Sequence, residues 1–141
     1  MKDDNRKHLG LYDVLNDLKY LQDLLSNSWS KYFGHYFSKL VGSDTIPFYF
    51  ITKQSKPFIV VNPKTHTPTS YFRIEAIDKS QVTVTLLRAF DLNDNDTNIM
   101  TDVMRLEKTE AQLTIQLHSM LAIQLLEPAL LGGKFYIESK W

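Results

Sequence analysis

The 141-residue chain contains no cysteine. Disulfide bonds are therefore impossible, and zinc of the structural type is nearly excluded with them. Excess charge of either sign is also missing, since 16 lysines and arginines balance 16 aspartates and glutamates. There is no basic surplus to neutralise a phosphate backbone, so no nucleic-acid partner is expected. No apolar run approaches the roughly 20 residues that span a bilayer, so no membrane partner is expected either. The opening residues, MKDDNRKHLG, are charged and lack an apolar core, so they do not read as a signal peptide. Phosphate cradles, dinucleotide fingerprints and metalloprotease motifs are all absent.

What is present is two kinds of hydrophobic period. In Leu9–Leu25, the residues Leu11, Val14, Leu15, Leu18, Leu21 and Leu25 recur at three- and four-residue steps, which predicts an amphipathic helix. After Asn27 and a plausible N-cap at Ser28, a second helix is expected over Trp29–Leu40. Its stripe is almost wholly aromatic: Trp29, Tyr32, Phe33, Tyr36, Phe37 and Leu40. Such a stripe either packs into the chain's own core or presents an aromatic face to another subunit. Those six residues are the candidate interface.

From Thr45 onward the period is two. Ile46–Thr52 and Phe58–Val61 read as a hairpin closed by Lys53–Lys56, with Pro47 and Pro57 at the strand starts, where a missing N–H is tolerated. A second hairpin runs from Tyr71 to Phe90, turning at Asp78–Ser80, with Phe72, Ile74 and Ala76 forming one apolar face and Val82, Val84 and Leu86 repeating the pattern. Val103–Leu106 and Leu113–Leu125 suggest a third, turning at Lys108–Glu110. Leu113, Ile115, Leu117, Leu121, Ile123 and Leu125 fall on one expected inward face interrupted at Ser119. The run is long for one strand, so a bulge or bend near His118 and Ser119 is expected to let it serve two sheets. Gly132 and Gly133 mark a turn, and Lys134–Ile137 a last edge strand. The fold class is thus mainly β (α+β), an antiparallel β-sandwich or flattened barrel with one or two N-terminal helices. Residues 1–43 form the helical segment and 44–141 the β-domain, packed as one globular unit.

Few constellations suggest chemistry. His8, His35, His66 and His118 are scattered without metal-ligand spacing. His118 adjoins Ser119, but no strained nucleophile turn accompanies them. Asp91, Asn93 and Asn95 have the spacing of a calcium loop, with Asp102 at position twelve. Asp96 holds the sixth position, where glycine is needed, so a solvated loop is the simpler reading. Arg73 and Glu75, two apart on one strand face, read as a structural ion pair. No catalytic residue, cofactor or metal is expected.

Several of these segments resemble the CotY/CotZ/ExsY family of spore-surface proteins. The matching residues are Ile46-Pro47-Phe48, Thr52-Lys53, Pro57-Phe58, Phe72-Arg73-Ile74-Glu75, Ile77-Asp78, Leu87-Arg88, Ala122-Ile123-Gln124 and Leu126, with Asp13-Val14 and Gln22-Asp23 in the helix. The resemblance implies a non-enzymatic structural protein of the spore coat, crust or exosporium. Such a protein is made in the mother-cell cytoplasm, associates with itself and with other coat proteins, and belongs to a group that forms flat hexagonal arrays. That family is rich in cysteine and cross-links its layers; this chain departs from it and must associate without disulfides. The alternative is a small β-sandwich binding module that grips a glycan or other ligand, with Tyr49, Tyr71 and Tyr136 as candidate contacts.

Overall fold

The computed structural model describes residues 2–24 and 44–126. Helix α1 (Lys2–Leu24) precedes seven strands: β1 (Phe48–Thr52), β2 (Val60–Val61), β3 (Pro68–Thr69), β4 (Phe72–Ile77), β5 (Gln81–Phe90), β6 (Arg105–Gln116) and β7 (Met120–Leu125). Five strands make one antiparallel sheet in the order β6-β5-β4-β1-β7, while β2 and β3 pair separately. The mainly-β class with an N-terminal helix is as expected, and among the described residues no closed barrel forms. The expected helix Trp29–Leu40 and edge strand Lys134–Ile137 lie outside the described residues.

The sheet must nevertheless curl. Strands β6 and β7 occupy its opposite edges, yet only the 3₁₀ turn Leu117–Ser119 separates them. Flat, five strands would place those edges ~19 Å apart, whereas the four residue steps from Gln116 to Met120 reach at most ~14 Å even when extended. The bend expected near His118 and Ser119 is therefore present, but it joins two edges of one sheet rather than two sheets.

The expected turn at Lys108–Glu110 is instead a bulge within β6. Opposite it, Thr85 pairs with Gln112 and Leu87 with Lys108, so β6 carries extra residues there. The Thr109 hydroxyl donates to the Leu86 carbonyl at 2.7 Å and accepts from the Ala111 amide at 3.2 Å, satisfying groups that the bulge would orphan. A second bulge lies in β7: Ile51 faces Ala122 and Thr52 faces Met120, leaving Leu121 unpaired. Leu121 is thereby exposed, against the expected inward alternation, and Leu125 at the strand end is partly exposed as well.

The hairpin after β1 closes only near its turn. The Phe58 amide donates to the Phe50 carbonyl and the Thr52 amide to the Lys56 carbonyl, but Val60–Val61 then leaves to pair with Pro68–Thr69. Returning along β1, Pro57 and Phe58 displace β4, which keeps a single paired position, Phe48 with Phe72. Phe48, Phe50, Phe58 and Phe72 fill the wedge as a ring cluster with centroids 5.2 to 6.5 Å apart.

Helix α1 covers this inner face with Leu11, Leu15 and Leu18. Its buried line continues at Gln22 rather than at Leu21, and Val14 and Leu21 are half-exposed. The reason is polar. Where β1 and β4 splay, the Gln22 side chain donates to the Ile74 carbonyl at 2.8 Å and accepts from the Ile46 amide at 3.3 Å. It stands in for a missing backbone rung. Replacing Gln22 by Met keeps side-chain bulk and removes both partners, leaving two buried backbone groups unsatisfied at about 1–3 kcal/mol each. Urea unfolding is expected to show a loss of about 2–4 kcal/mol; a loss under about 0.5 kcal/mol would show the amide to be dispensable.

Candidate functional site

The outer face of the sheet, opposite α1, carries a partly buried charge cluster. Arg73 on β4 donates to Glu75 at 2.6 Å, and the Thr85 hydroxyl of β5 donates to the same carboxylate at 2.5 Å. The structural ion pair expected from the sequence is therefore formed, and it is part of something larger. Arg73 Nε donates to the Thr45 hydroxyl at 3.0 Å and Nη2 to the Asp44 carbonyl at 3.3 Å. From β6, Lys108 reaches both Asp44 carboxylate oxygens at 3.0 and 3.1 Å. Two strands, β4 and β6, thus clamp the segment that leads into β1, while Thr85 of β5 braces the Glu75 partner of Arg73. Lys108 and Asp44 were not legible as partners, because Lys108 reads as a turn residue when the bulge is unseen.

The loop Asp91–Asn98 is held by its own polar groups. The Asp91 carboxylate accepts from the Asn93 and Asn95 amides, each at 2.9 Å, and Asp94 adopts a left-handed φ of 62°. Asp96 forms a two-pronged pair with Arg88 at 2.6 and 2.9 Å, while Asp94 pairs with Arg105 at 3.2 Å. Both guanidiniums lie over the Phe90 ring, 5.0 and 4.2 Å from its centroid. The Arg88 pair holds the Asp96 carboxyl below the usual carboxylate range despite opposing burial. Among the described residues no group of three His, Cys, Asp or Glu side chains is placed to hold a metal ion.

Among the described residues, His66 and His118 do not converge on a shared site. His118 is exposed on the 3₁₀ turn beside buried Leu117, and Ser119 donates to the Gln116 carbonyl at 2.7 Å instead of pairing with it. His66 sits in a loop with a left-handed φ of 60°. The candidate interface residues Trp29, Tyr32, Phe33, Tyr36, Phe37 and Leu40 lie outside the described residues, as does Tyr136.

Tyr49 and Tyr71, by contrast, come together. With Pro57, Ile59, Ser70, Asn98 and Met100 they line a pocket of about 220 Å³. Tyr71 is only 1% exposed, so its ring offers no open face for stacking a sugar. Its hydroxyl has no hydrogen-bond partner among the described residues, and burial, then the neighbouring Tyr49, push its pKa up to about 12. Sequence reasoning missed Ser70, Asn98 and Met100 here, because loop residues from distant segments meet only once the sheet curls.

Fold and surface together define a mainly-β protein whose polar clusters brace strands and loops. The chain is 34% identical over 100 residues to spore coat protein Z of Bacillus subtilis (strain 168), an alignment covering 63% of this chain and 68% of that protein. It belongs to the spore coat protein Z family. No family model matches the chain, and no solved structure matches it. No helix among the described residues is long and apolar enough to cross a membrane.

The clamp around Asp44 carries a pH signature. Burial alone would raise its pKa, but hydrogen bonds from Lys108 and Thr45 and the charges of Lys108 and Arg73 outweigh that and hold it below the ordinary 3.8. A carboxylate lowered on folding stabilises the native state above its unfolded pKa, and that contribution is lost as pH falls through the folded value. The Asp44 side chain is 38% exposed, so screening limits the effect to about 1 kcal/mol or less. Asp44→Asn is expected to cost that much at neutral pH in urea titrations, with the deficit shrinking below pH 3.8. A deficit independent of pH would remove the electrostatic account.

Proposed function

We propose that this protein is a non-enzymatic structural component of the spore surface that associates with itself and with other coat proteins through packing alone. The observation that carries the reading is the 100-residue match to a spore coat protein. The chain has no cysteine, so its contacts are reversible and indifferent to reductant. That suits an adaptor or anchor within the coat, crust or exosporium, assembled from the mother-cell cytoplasm. The aromatic residues Trp29, Tyr32, Phe33, Tyr36, Phe37 and Leu40 keep their sequence-based reading as one interface.

The sheet edges favour a second contact. At one edge, β6 displays Arg105, Glu107, Lys108 and Glu110 and is bulged, the usual protection against edge pairing. At the other, β7 (MLAIQL) carries no charge and no proline, exposes Leu121 and Leu125, and has no outer-edge partner among the described residues. An unprotected edge of this composition is suited to pairing with another chain. The paired variants Leu121→Lys and Leu125→Lys alter exposed positions and leave the core intact. They are expected to weaken self-association at least tenfold by sedimentation equilibrium, at unchanged helix and strand content. Association equal to that of the unaltered protein would remove β7 from the interface.

A further inference from the structure

The most exposed large hydrophobic side chain among the described residues is Leu92, at 78%. It sits on the turn after β5, and that turn is rigid. The Asp91 amide donates to the Asn95 carbonyl at 2.8 Å and the Asp94 amide to the Asp91 carbonyl at 3.0 Å, while the Asp96–Arg88 and Asp94–Arg105 pairs fix its base. A leucine held out on a braced turn loses little freedom on binding, which lowers the cost of inserting it into a partner.

The Tyr49–Tyr71 pocket has the complementary properties. Its volume of about 220 Å³ exceeds the ~150 Å³ that accommodates a benzene ring, so one branched aliphatic side chain and the adjoining backbone fit. Among the described residues no charged side chain lines it, and Pro57, Ile59 and Met100 supply apolar walls. The Tyr71 hydroxyl, buried without a partner among the described residues, takes an acceptor such as a main-chain carbonyl carried in by the occupant. Charge agrees as well. Lys53 and Lys56, exposed on the turn that leads to Pro57, have no ion-pair partner among the described residues. The Leu92 turn carries Asp91, Asp94 and Asp96 against two arginines, a net negative charge.

We propose that Leu92 of one copy of this chain seats in the Tyr49–Tyr71 pocket of a second copy, with Lys53 and Lys56 facing the acidic turn. This rests on the self-association proposed above and adds a contact distinct from the β7 edge. A knob and its pocket on different parts of one surface form a junction between unlike faces, which propagates into rings or open arrays.

The test separates the two halves of the junction. Leu92→Asp removes the knob and keeps the pocket; Ile59→Trp, at a half-exposed position on the pocket wall, fills the pocket and keeps the knob. Circular dichroism melts establish that each full-length variant folds. In light-scattering mass measurements each variant alone is expected to associate at least tenfold more weakly than the unaltered protein. Mixed in equal amounts, they should recover association as pairs containing one of each. If Leu92→Asp associates as tightly as the unaltered protein, or the mixture forms no mixed pair, the junction is wrong while self-association stands. If the unaltered protein is monomeric throughout, self-association fails and the junction fails with it.

Discussion

The side-chain amide of Gln22 occupies the place of a missing rung between β1 and β4, and much of the architecture depends on it. Because Pro57 and Phe58 fold back along β1, β4 keeps only the Phe48–Phe72 pairing. The sheet therefore opens where the chain enters β1, and Ile46 and Ile74 each carry a backbone group that a continuous ladder would have satisfied. Gln22 reaches in from α1 and meets both. An unsatisfied buried amide or carbonyl costs more than a typical hydrogen bond gains, so the helix is fixed in position by polar accounting as well as by its leucines. On the opposite face Arg73 and Lys108 hold Asp44 and Thr45, and Glu75 and Thr85 steady Arg73. The lead-in to β1 is thus gripped from both sides.

That arrangement bears on a chain without covalent staples. A domain of this length buries enough apolar surface to fold without disulfides, and its phenylalanine cluster and helix seam supply that core. The second buried group, around Tyr71, Leu87, Ala89, Val103, Leu106 and Leu126, supports the other face where β5 extends past β4. Leu86 and Leu87, adjacent in sequence, are buried in different clusters, so β5 is covered on both faces at that point. Cover on both faces leaves the β7 edge, the Leu92 turn and the tyrosine pocket as the surfaces through which contact with other chains is proposed.

Much of this was legible in the sequence. Period-two runs located β4 and β5 and their turn at Asp78, the helical stripe located α1, and Arg73 and Glu75 were recognisable as a pair because they share one strand face. The missed features have a common cause: each depends on register or on distant segments meeting. Thr109 looks like a turn residue until β5 is laid beside β6, where it patches a bulge. Leu121 fits an inward alternation until the unpaired position in β7 turns it out. Gln22 enters the sequence reading only as part of a matching pair in the helix, since nothing local announces that two strands will part above it. Tyr49 and Tyr71 were named as candidate contacts, but their pocket exists only because Pro57, Asn98 and Met100 arrive from other loops.

The central claim is that this chain builds its contacts by packing alone. The most direct measurement is light-scattering mass across a concentration series, run with and without reductant, with negative-stain images of the same fractions. The account expects species larger than one chain that grow with concentration, dissociate on dilution and are identical in both conditions. A single-chain mass at the highest concentration, with no ordered particles in the images, would contradict it.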